Sequence, residues 1–350
     1  MTGAYLAVAG EEADPADWSR QTLPDLLPAL KAQGFKAARL TIAPLGAGWT
    51  TTLPPTHYRS GAGPLEALAE AVEAVLGGHF DAVELRGEEP LKSGYSREER
   101  HRLMDIYTPF TIPEAYEELT RAFLERRGIT EQAFRGIAEA LFCNYLGTLQ
   151  KAGCAFEPPD EKWYAPVTPL QRGVDCANPV MDYRAAVLVA SGRAAENLAA
   201  LGMSVARIAG VGFARLPVDG PAHAARVAAF DHLGAALTRA EKMAGVSVRD
   251  LAASPDTALE LYTCYPVIPT AFLMTAGLAG DAAGVVEFLR TRAITLTGGM
   301  NLARAPWNLP ALRGLARVAA ALAGGEAAFG VVQGNGGVGY AQGVAILRRV

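Results

Sequence analysis

Three stretches near the end of the sequence decide the fold: Leu261-Tyr-Thr-Cys-Tyr-Pro266, Thr297-Gly-Gly-Met-Asn-Leu-Ala-Arg-Ala-Pro-Trp-Asn308 and Gly334-Asn-Gly-Gly-Val-Gly339. The first is a cysteine–aromatic turn after an apolar run. The second is a Gly-Gly turn with a proline a few residues later, and the third is a Gly-rich turn before a final apolar run. Glycine, proline and asparagine favour turns because they adopt or preset backbone angles that other residues avoid. The sequence therefore predicts three strand-ending turns in a fixed order.

Strands and helices alternate on both sides of the middle of the chain. Short apolar runs read as buried strands, and longer runs with a period near 3.6 read as helices. Predicted strands cover residues 5–10, 37–43, 80–85, 182–191, 205–213, 259–262, 294–298, 328–333 and 341–347, and predicted helices cover residues 23–32, 64–76, 194–201, 222–244, 269–277 and 309–322. This alternation predicts an α/β fold.

The stretch from about residue 88 to 175 breaks this alternation. It is more charged than its surroundings, and it predicts helices over residues 113–127 and 130–151, with Thr130 as an N-cap. We interpret it as an insertion that lies over a pocket. The predicted halves are then residues 1–200, which contain the insertion, and residues 201–350.

In their order and spacing, the three stretches resemble the C-terminal half of the thiolases, most closely the sterol-carrier-protein-2-type enzymes and their bacterial thiolase-like relatives. The N-terminal half is similar more weakly. The resemblance implies the thiolase fold, in which two βαβαβ-type halves, each with its own sheet, pack in a five-layer αβαβα arrangement. It also implies an acyltransferase similar to acetyl-CoA acetyltransferase, with a coenzyme A thioester as substrate and no cofactor.

The sequence departs from the thiolase pattern where the family carries its catalytic groups. Ser60 stands in place of the nucleophilic cysteine, Ala305 in place of the histidine, and Gly334 in place of the second cysteine. A serine hydroxyl needs an adjacent base to act as a nucleophile, and His57 is a candidate. The alternative is that Ser60 caps a helix and His57 belongs to a loop.

Cys264 is the one reactive side chain of the family pattern that remains. It is therefore a candidate catalytic residue, together with Ser60 at the nucleophile position and Tyr340 after the last Gly-rich turn. Some thiolase-like proteins similar to this chain are aldolases that use tyrosines as acid–base groups and work with an OB-fold partner. Tyr262 and Tyr265 flank Cys264 and are further candidates. The alternative is an inert, buried cysteine among packed aromatic rings.

Asn308, Asn335, Gly336 and Gly337 are the candidate substrate-binding residues. Asn308 can donate a hydrogen bond to a carbonyl, and the glycine turn can direct backbone N–H groups at a ligand. The alternatives are that Asn308 caps the helix from Leu309 onward and that the glycines form an ordinary hairpin turn. The charged segment 97–102 predicts a solvated helical face or a contact with the phosphates of coenzyme A.

Composition narrows the class of protein. The net charge of -4 argues against a nucleic-acid-binding surface, and no apolar run is long enough to predict a membrane span. Four cysteines without a CxxC pair predict a cytoplasmic protein with neither a metal site nor disulfides.

The family pairs through a strand near the nucleophile helix, which implies a homodimer through residues 37–43 or 80–85. The alternative is a hetero-oligomer with another thiolase-like or OB-fold chain. Three functions stay open: an acyltransferase with a non-standard site, a catalytically degenerate subunit of a complex, and a thiolase-fold aldolase.

Overall fold

The computed structural model describes residues 3–19, 22–153 and 159–350. The strands are β1 (Ala4–Ala13), β2 (Ala37–Ile42), β3 (His57–Tyr58), β4 (Ala82–Pro90), β5 (Pro166–Thr168), β6 (Gln171–Arg172), β7 (Asp182–Ser191), β8 (Val205–Arg215), β9 (Thr257–Glu260), β10 (Phe329–Gly336) and β11 (Ala341–Arg349). The helices are α1 (Leu27–Ala32), α2 (Gly63–Leu76), α3 (Arg97–Met104), α4 (Ile112–Arg127), α5 (Glu131–Lys151), α6 (Gly192–Ala200), α7 (Ala224–Val227), α8 (Asp231–Ala244), α9 (Val248–Ala253), α10 (Val267–Thr275), α11 (Ala282–Thr291) and α12 (Pro310–Ala323).

The molecule consists of five alternating layers of helices and strands. Helices α2 and α12 contact strands of both halves, including β7 and β10, and so form the central layer. Helices α1 and α6 cover the outer face of the first half, and α8 covers β8 and β11 on the outer face of the second half. The predicted α/β class and the αβαβα layering are confirmed.

The two halves are joined along one strand edge, and our expectation of two separate sheets is wrong. Nine strands form one mixed sheet in the order β3-β2-β4-β7-β1-β8-β11-β10-β9. The joint is a short antiparallel pairing of Ala4–Ala7 with residues 205–208. Each half would otherwise leave the first strand of its own sheet with an open edge, and pairing these edges satisfies their backbone groups.

The central helix α2 begins as predicted, because Pro64 lies in its first turn, where a missing N–H costs nothing. In the insertion, α4 and α5 match the predicted helices closely, and Thr130 accepts a hydrogen bond from Ala133 N as the expected N-cap. The strand predicted over residues 182–191 also has the predicted ends, and nine of its ten residues are buried.

Two predicted elements are wrong, in each case because tertiary contacts decide the backbone. The helix expected over 222–244 breaks at Phe230, which is 1% exposed and adopts a left-handed φ of 52° while its ring packs edge-on against Phe123. The strand expected over 294–298 does not form. Instead the buried carboxylate of Glu260 accepts hydrogen bonds from the amides of Leu296 and Thr297.

The predicted dimerisation edge is also wrong. Strands β2 and β4 both lie inside the sheet, since β2 pairs with β3 and β4, and β4 pairs with β2 and β7. The outer strand of the first half is β3, which has only two residues. An edge this short offers few free backbone groups to a second chain.

Within the described residues, no helix is both long and apolar enough to cross a lipid bilayer. Cys143, Cys176 and Cys264 are free thiols, and Cys154 lies outside the described residues.

Helix α8 packs directly on glycines of β8, which yields a stability prediction. A β carbon on Gly212 would lie 2.0 Å from the carbonyl oxygen of Ala236, so Gly212→Ala must push the helix off the sheet. We expect a loss of about 1–3 kcal/mol or more in the free energy of unfolding, measured by urea denaturation.

Gly234→Ala is the matched control, because its β carbon would meet only a methyl group at 3.8 Å. It lies inside α8, where alanine favours the helix by about 0.5–1 kcal/mol over glycine. Equal effects of the two substitutions would contradict the close packing of α8 on β8.

Candidate active site

A cavity of about 620 Å³ lies where the start of α2 meets the loops after β9 and β10. The insertion covers it with α3, the start of α4 and the segment between them, as predicted. Aromatic and aliphatic side chains dominate its wall, among them Tyr107, Tyr116, Tyr262, Met300 and Trp307. A cavity of this size and character suits one small organic ligand with a bulky apolar part.

The three sequence stretches converge on this cavity. Of the seven candidate residues, five line it, namely Ser60, Cys264, Asn308, Asn335 and Gly337. Gly336 touches the site from behind, since a β carbon there would lie 2.5 Å from Ser60 Oγ. Tyr340 does not line the cavity.

Ser60 occupies a constrained position just before α2. It is 3% exposed and has a φ of 77°, in the left-handed region that non-glycine residues rarely adopt. Its hydroxyl has no hydrogen-bond partner among the described residues. The helix N-cap is Ala62 rather than Ser60. His57 lies in β3, where its Nδ1 is 3.2 Å from Thr56 Oγ1, and it does not line the cavity.

Asn308 connects two parts of the site. Its side-chain oxygen accepts a hydrogen bond from Ser60 N at 3.0 Å, and its side-chain nitrogen donates to Ala43 O at 2.8 Å. The N-cap of α12 is Leu309, so the helix-capping alternative for Asn308 is wrong. Because the amide of Ser60 already donates to Asn308, it is not available to stabilise an oxyanion.

A buried carboxyl group holds the loop that carries Asn308. Glu89, at the end of β4, is fully buried and accepts hydrogen bonds from the amides of Trp307 at 2.7 Å and Asn308 at 2.9 Å. Burial raises the pKa of Glu89 to about 8, against the opposing effect of these backbone donors. Glu89 therefore positions the loop from below the cavity.

Cys264 belongs to a buried hydrogen-bond network. Its thiol donates to the Tyr116 hydroxyl at 3.3 Å, which also accepts from Asn335 Nδ2 at 3.0 Å and donates to Gly337 O at 2.6 Å. Gln342 in turn donates to Asn335 Oδ1 at 2.6 Å and fixes the orientation of that amide. Burial raises the pKa of Cys264 to about 12, so the group is a neutral thiol near pH 7.

Tyr262 carries a free hydroxyl at the start of α2. A β carbon on Gly61 would lie only 1.8 Å from that oxygen, so the phenol reaches the backbone next to Ser60. The described part of the chain offers neither this hydroxyl nor the amides of Gly61 and Ala62 a hydrogen-bond partner. Burial raises the pKa of Tyr262 well above its usual range, which makes the phenol a hydrogen-bond donor.

Tyr340 lies on the outer side of the same turn. Burial raises its pKa to about 12, with the carboxylates of Asp219 and Glu66 as further causes and the guanidinium groups of Arg215 and Arg59 as opposing ones. Arg59 itself donates to the carbonyls of residues 48, 49 and 51. Tyr340 therefore sits in a polar cluster next to the cavity wall.

The rim of the cavity carries charge from the end of α3. Residues 97–102 form the first six residues of this helix, and most of them are exposed, as expected for a solvated face. His101 and Arg102, however, line the opening. A histidine and a permanently charged guanidinium group thus lie where a ligand would enter.

Sequence reasoning missed four residues of the site: Tyr107, Tyr116, Asp219 and Glu89. Tyr116 and Tyr107 lie in the insertion, which has no motif to mark them. Tyr107 donates a hydrogen bond to Asp219 at 2.7 Å across the two halves of the chain. Glu89 lies beyond the predicted strand 80–85, in the charged stretch Arg86-Gly-Glu-Glu-Pro90, and nothing in that stretch distinguishes its buried carboxyl group from the more exposed one of Glu88.

Comparisons with known proteins give no match at the level of sequence: no protein-family model and no curated protein matches the chain. Solved structures do match. One is a monomeric SCP2-thiolase-like protein type 1 from Mycobacterium smegmatis, with a TM-score of 0.65 and 18% identity over 99% of this chain and 78% of that one. Another is the Ltp2-ChsH2(DUF35) aldolase, with a TM-score of 0.67 and 15% identity over 98% of this chain and 97% of that one.

These likenesses confirm that the chain has a thiolase-like fold of the sterol-carrier-protein-2 type. At such low identity they establish the fold alone, and the chemistry has to be argued from the site.

Proposed function

We propose that this thiolase-fold chain is the catalytic subunit of an aldol-type lyase that acts on coenzyme A thioesters. The reaction cleaves a 3-hydroxyacyl thioester into a ketone or aldehyde and a shorter acyl thioester. The observation that carries the proposal is the free Tyr262 hydroxyl at the start of α2, beside a serine that has no base.

Acyl transfer is poorly supported by the same geometry. It requires a nucleophile with a base in hydrogen-bond reach and donors for the oxyanion. The Ser60 hydroxyl contacts no base, and its amide donates to Asn308 instead. Ala305, in the place of the family histidine, cannot move a proton. Cys264 is a neutral thiol whose hydrogen is directed at Tyr116.

Aldol cleavage requires other groups than acyl transfer does, and the cavity contains more of them. It needs no covalent intermediate. It needs hydrogen-bond donors for the thioester oxygen as the enolate forms, together with a group that moves a proton. The Tyr262 hydroxyl and the amide of Gly61, which lines the cavity just before α2, are such donors, and the helix dipole adds to their effect.

The cavity also supports a substrate class. Its aromatic and aliphatic wall suits an apolar group on the 3-carbon, while His101 and Arg102 at the rim suit the phosphates of coenzyme A. Asn308, Asn335 and Gly337 contact the same space and form the proposed substrate-binding set, while Gly336 supports Ser60 from behind. No cofactor takes part in this proposal.

We further propose a cytoplasmic hetero-oligomer with an OB-fold chain. The two-residue edge strand β3 is a poor homodimer surface, and of the two comparison structures one is a monomer and the other an aldolase with a DUF35 component. Pairing with another thiolase-like chain is the alternative.

Acyl transfer through Ser60 is the second candidate, because one observation favours it. A non-glycine residue with positive φ at a helix start is strained by about 1–3 kcal/mol, and such strain is typical of functional positions. The third candidate, a non-catalytic subunit, rests on the missing family residues.

The proposal is tested with 3-hydroxy-3-phenylbutanoyl-CoA, which has an apolar group on the 3-carbon. Cleavage yields acetophenone and acetyl-CoA, both separable by liquid chromatography. We expect turnover by the chain with its OB-fold partner. Thiolytic acyl transfer from acetoacetyl-CoA without cleavage of the hydroxyacyl thioester would favour the second candidate. Absence of both reactions would favour a non-catalytic subunit.

Ser60→Ala separates the two catalytic candidates directly. Because the Ser60 hydroxyl contacts no base, we expect the rate of cleavage to change by less than about threefold, or about 0.7 kcal/mol. Loss of the activity by several powers of ten, with an unchanged melting temperature, would instead identify Ser60 as a nucleophile.

A further inference from the structure

We propose that Tyr107 and Asp219 form the proton-transfer pair of this site, with Tyr107 as the group that exchanges a proton with the substrate and Asp219 acting through it. This inference rests on the proposed aldol function. It assigns the base that the sequence did not reveal, and neither residue belongs to the stretches that resemble the thiolases.

Tyr107 and Asp219 are joined across the two halves of the chain. Tyr107 comes from the segment between α3 and α4 and lines the cavity. Its hydroxyl donates to Asp219 Oδ2 at 2.7 Å, a short distance typical of a charge-assisted hydrogen bond. Asp219 follows β8 and belongs to the other half of the chain. The contact therefore connects the insertion that covers the cavity to the second half of the chain.

The carboxylate of Asp219 is held in a fixed position. Asp219 Oδ1 accepts a hydrogen bond from Val338 N at 3.0 Å. The backbone of Gly337 lies so close that a β carbon there would be 2.3 Å from Asp219 Oδ2. The neighbouring Gly336 contacts Ser60 Oγ in the same way. Of two consecutive glycines in this turn, Gly337 therefore lies against Asp219 and Gly336 lies against Ser60, so the turn joins the carboxylate to the cavity.

The electrostatic surroundings of Asp219 favour uptake of a proton. No lysine or arginine within the described ranges forms an ion pair with it. The titratable groups that face it are Tyr107, Tyr340 and His223. Burial raises the pKa of Asp219, with Tyr107 and the backbone donors opposing. A half-buried carboxylate without a fixed cation can accept a proton more readily than an ion-paired one.

The cleavage reaction moves one proton through Tyr107. The 3-hydroxyl proton passes to the Tyr107 oxygen as the Tyr107 proton passes to Asp219. The electron pair of the O–H bond forms the new carbonyl, and the bond between carbons 2 and 3 breaks. Its electron pair stays on the thioester as an enolate, which Tyr262 stabilises. The proton returns through Tyr107 to carbon 2, so no proton is gained or lost.

Asp219→Asn and Tyr107→Phe test the assignment in the complete complex, with 3-hydroxy-3-phenylbutanoyl-CoA as the probe. We expect each to lower kcat by about 10²-fold or more with little change in KM. We expect the double variant to be no slower than the slower single variant, because both residues act in one relay.

The pH profile distinguishes proton transfer from support of the fold. In the wild type, kcat rises with pH as Asp219 loses its proton, and Asp219→Asn should remove this rise. Asp219→Glu should restore part of the activity together with the rise. Glu66→Gln is the matched control, because its carboxylate pairs with Arg215 outside the cavity.

The assignment is overturned if the wild type cleaves the probe and Asp219→Asn retains both its kcat and its pH profile. It is also overturned if the two single losses multiply in the double variant, which would indicate independent structural roles. If the wild type does not cleave the probe, the proposed aldol function is wrong. The proton-transfer role of Tyr107 and Asp219 is then wrong as well, because it depends on that function.

Discussion

Tyr262→Phe is expected to lower kcat for carbon–carbon cleavage by about 10²–10⁴-fold, since it removes a hydrogen-bond donor that acts on the developing enolate. The hydroxyl has no partner within the described part of the chain, so its removal should leave the melting temperature unchanged. KM should change little, because the donor acts more strongly on the transition state than on the bound substrate.

Tyr265→Phe is the control for Tyr262→Phe. Tyr265 also lines the cavity, but its ring stacks on Tyr116 with the ring centroids 4.0 Å apart, and its hydroxyl lies near the Cys176 thiol rather than at Gly61. We expect only a modest loss of rate from it. If the two variants lose the same activity, the special role of the phenol beside Gly61 is wrong.

Glu89→Ala is expected to be the most destabilising of the single substitutions. The side chain is fully buried and accepts hydrogen bonds from the amides of Trp307 and Asn308. Truncation leaves two buried donors without partners, at about 1–3 kcal/mol each, so the free energy of unfolding should fall by about 2–6 kcal/mol. Denaturant unfolding measures this loss.

The same carboxyl group predicts how stability changes with pH. Burial raises the pKa of Glu89 from 4.5 to about 8, so the folded protein holds this proton more tightly than the unfolded chain. Its stabilising contribution is complete below pH 4.5 and is lost as the pH rises through about 8. The unfolding free energy of Glu89→Gln should therefore fall less between these pH values than that of the wild type.

Glu88→Ala is the matched control for both experiments. Glu88 is the neighbouring residue, but its side chain is 41% exposed and pairs with Arg86 at the surface. Its removal should change the free energy of unfolding by no more than about 0.5–1 kcal/mol. A loss as large as that of Glu89→Ala would mean that the end of β4, rather than the buried carboxyl group, is the sensitive feature.

The sequence predicted the layers of the fold well, because apolar periodicity reports which faces are buried. The strand over 182–191 and the helices over 64–76 and 130–151 depend on local patterns that the structure retains. The break at Phe230 and the absence of a strand over 294–298 could not be predicted. Each depends on a residue distant in sequence, Phe123 in one case and Glu260 in the other.

The candidate site was predicted in part for a similar reason. Turn motifs identified the loops that meet at the cavity, so Ser60, Cys264 and Asn335 were found together. What each side chain does depends on its partners. The hydrogen bond from Ser60 to Asn308, the Tyr116 hydroxyl beside Cys264 and the pair Tyr107–Asp219 all join residues more than a hundred positions apart.

The position of β1 in the middle of the sheet has a consequence for how the protein folds during synthesis. Both neighbours of β1 follow it far along the chain, since Ala4 pairs with Ser191 on one side and with Ile208 on the other. At roughly 5–20 residues per second, the nascent strand waits roughly 10–40 s for these partners. During that time both edges of an apolar strand stay open, and such edges are templates for aggregation. The ribosome-bound chain is therefore a natural client for chaperones until β8 has emerged.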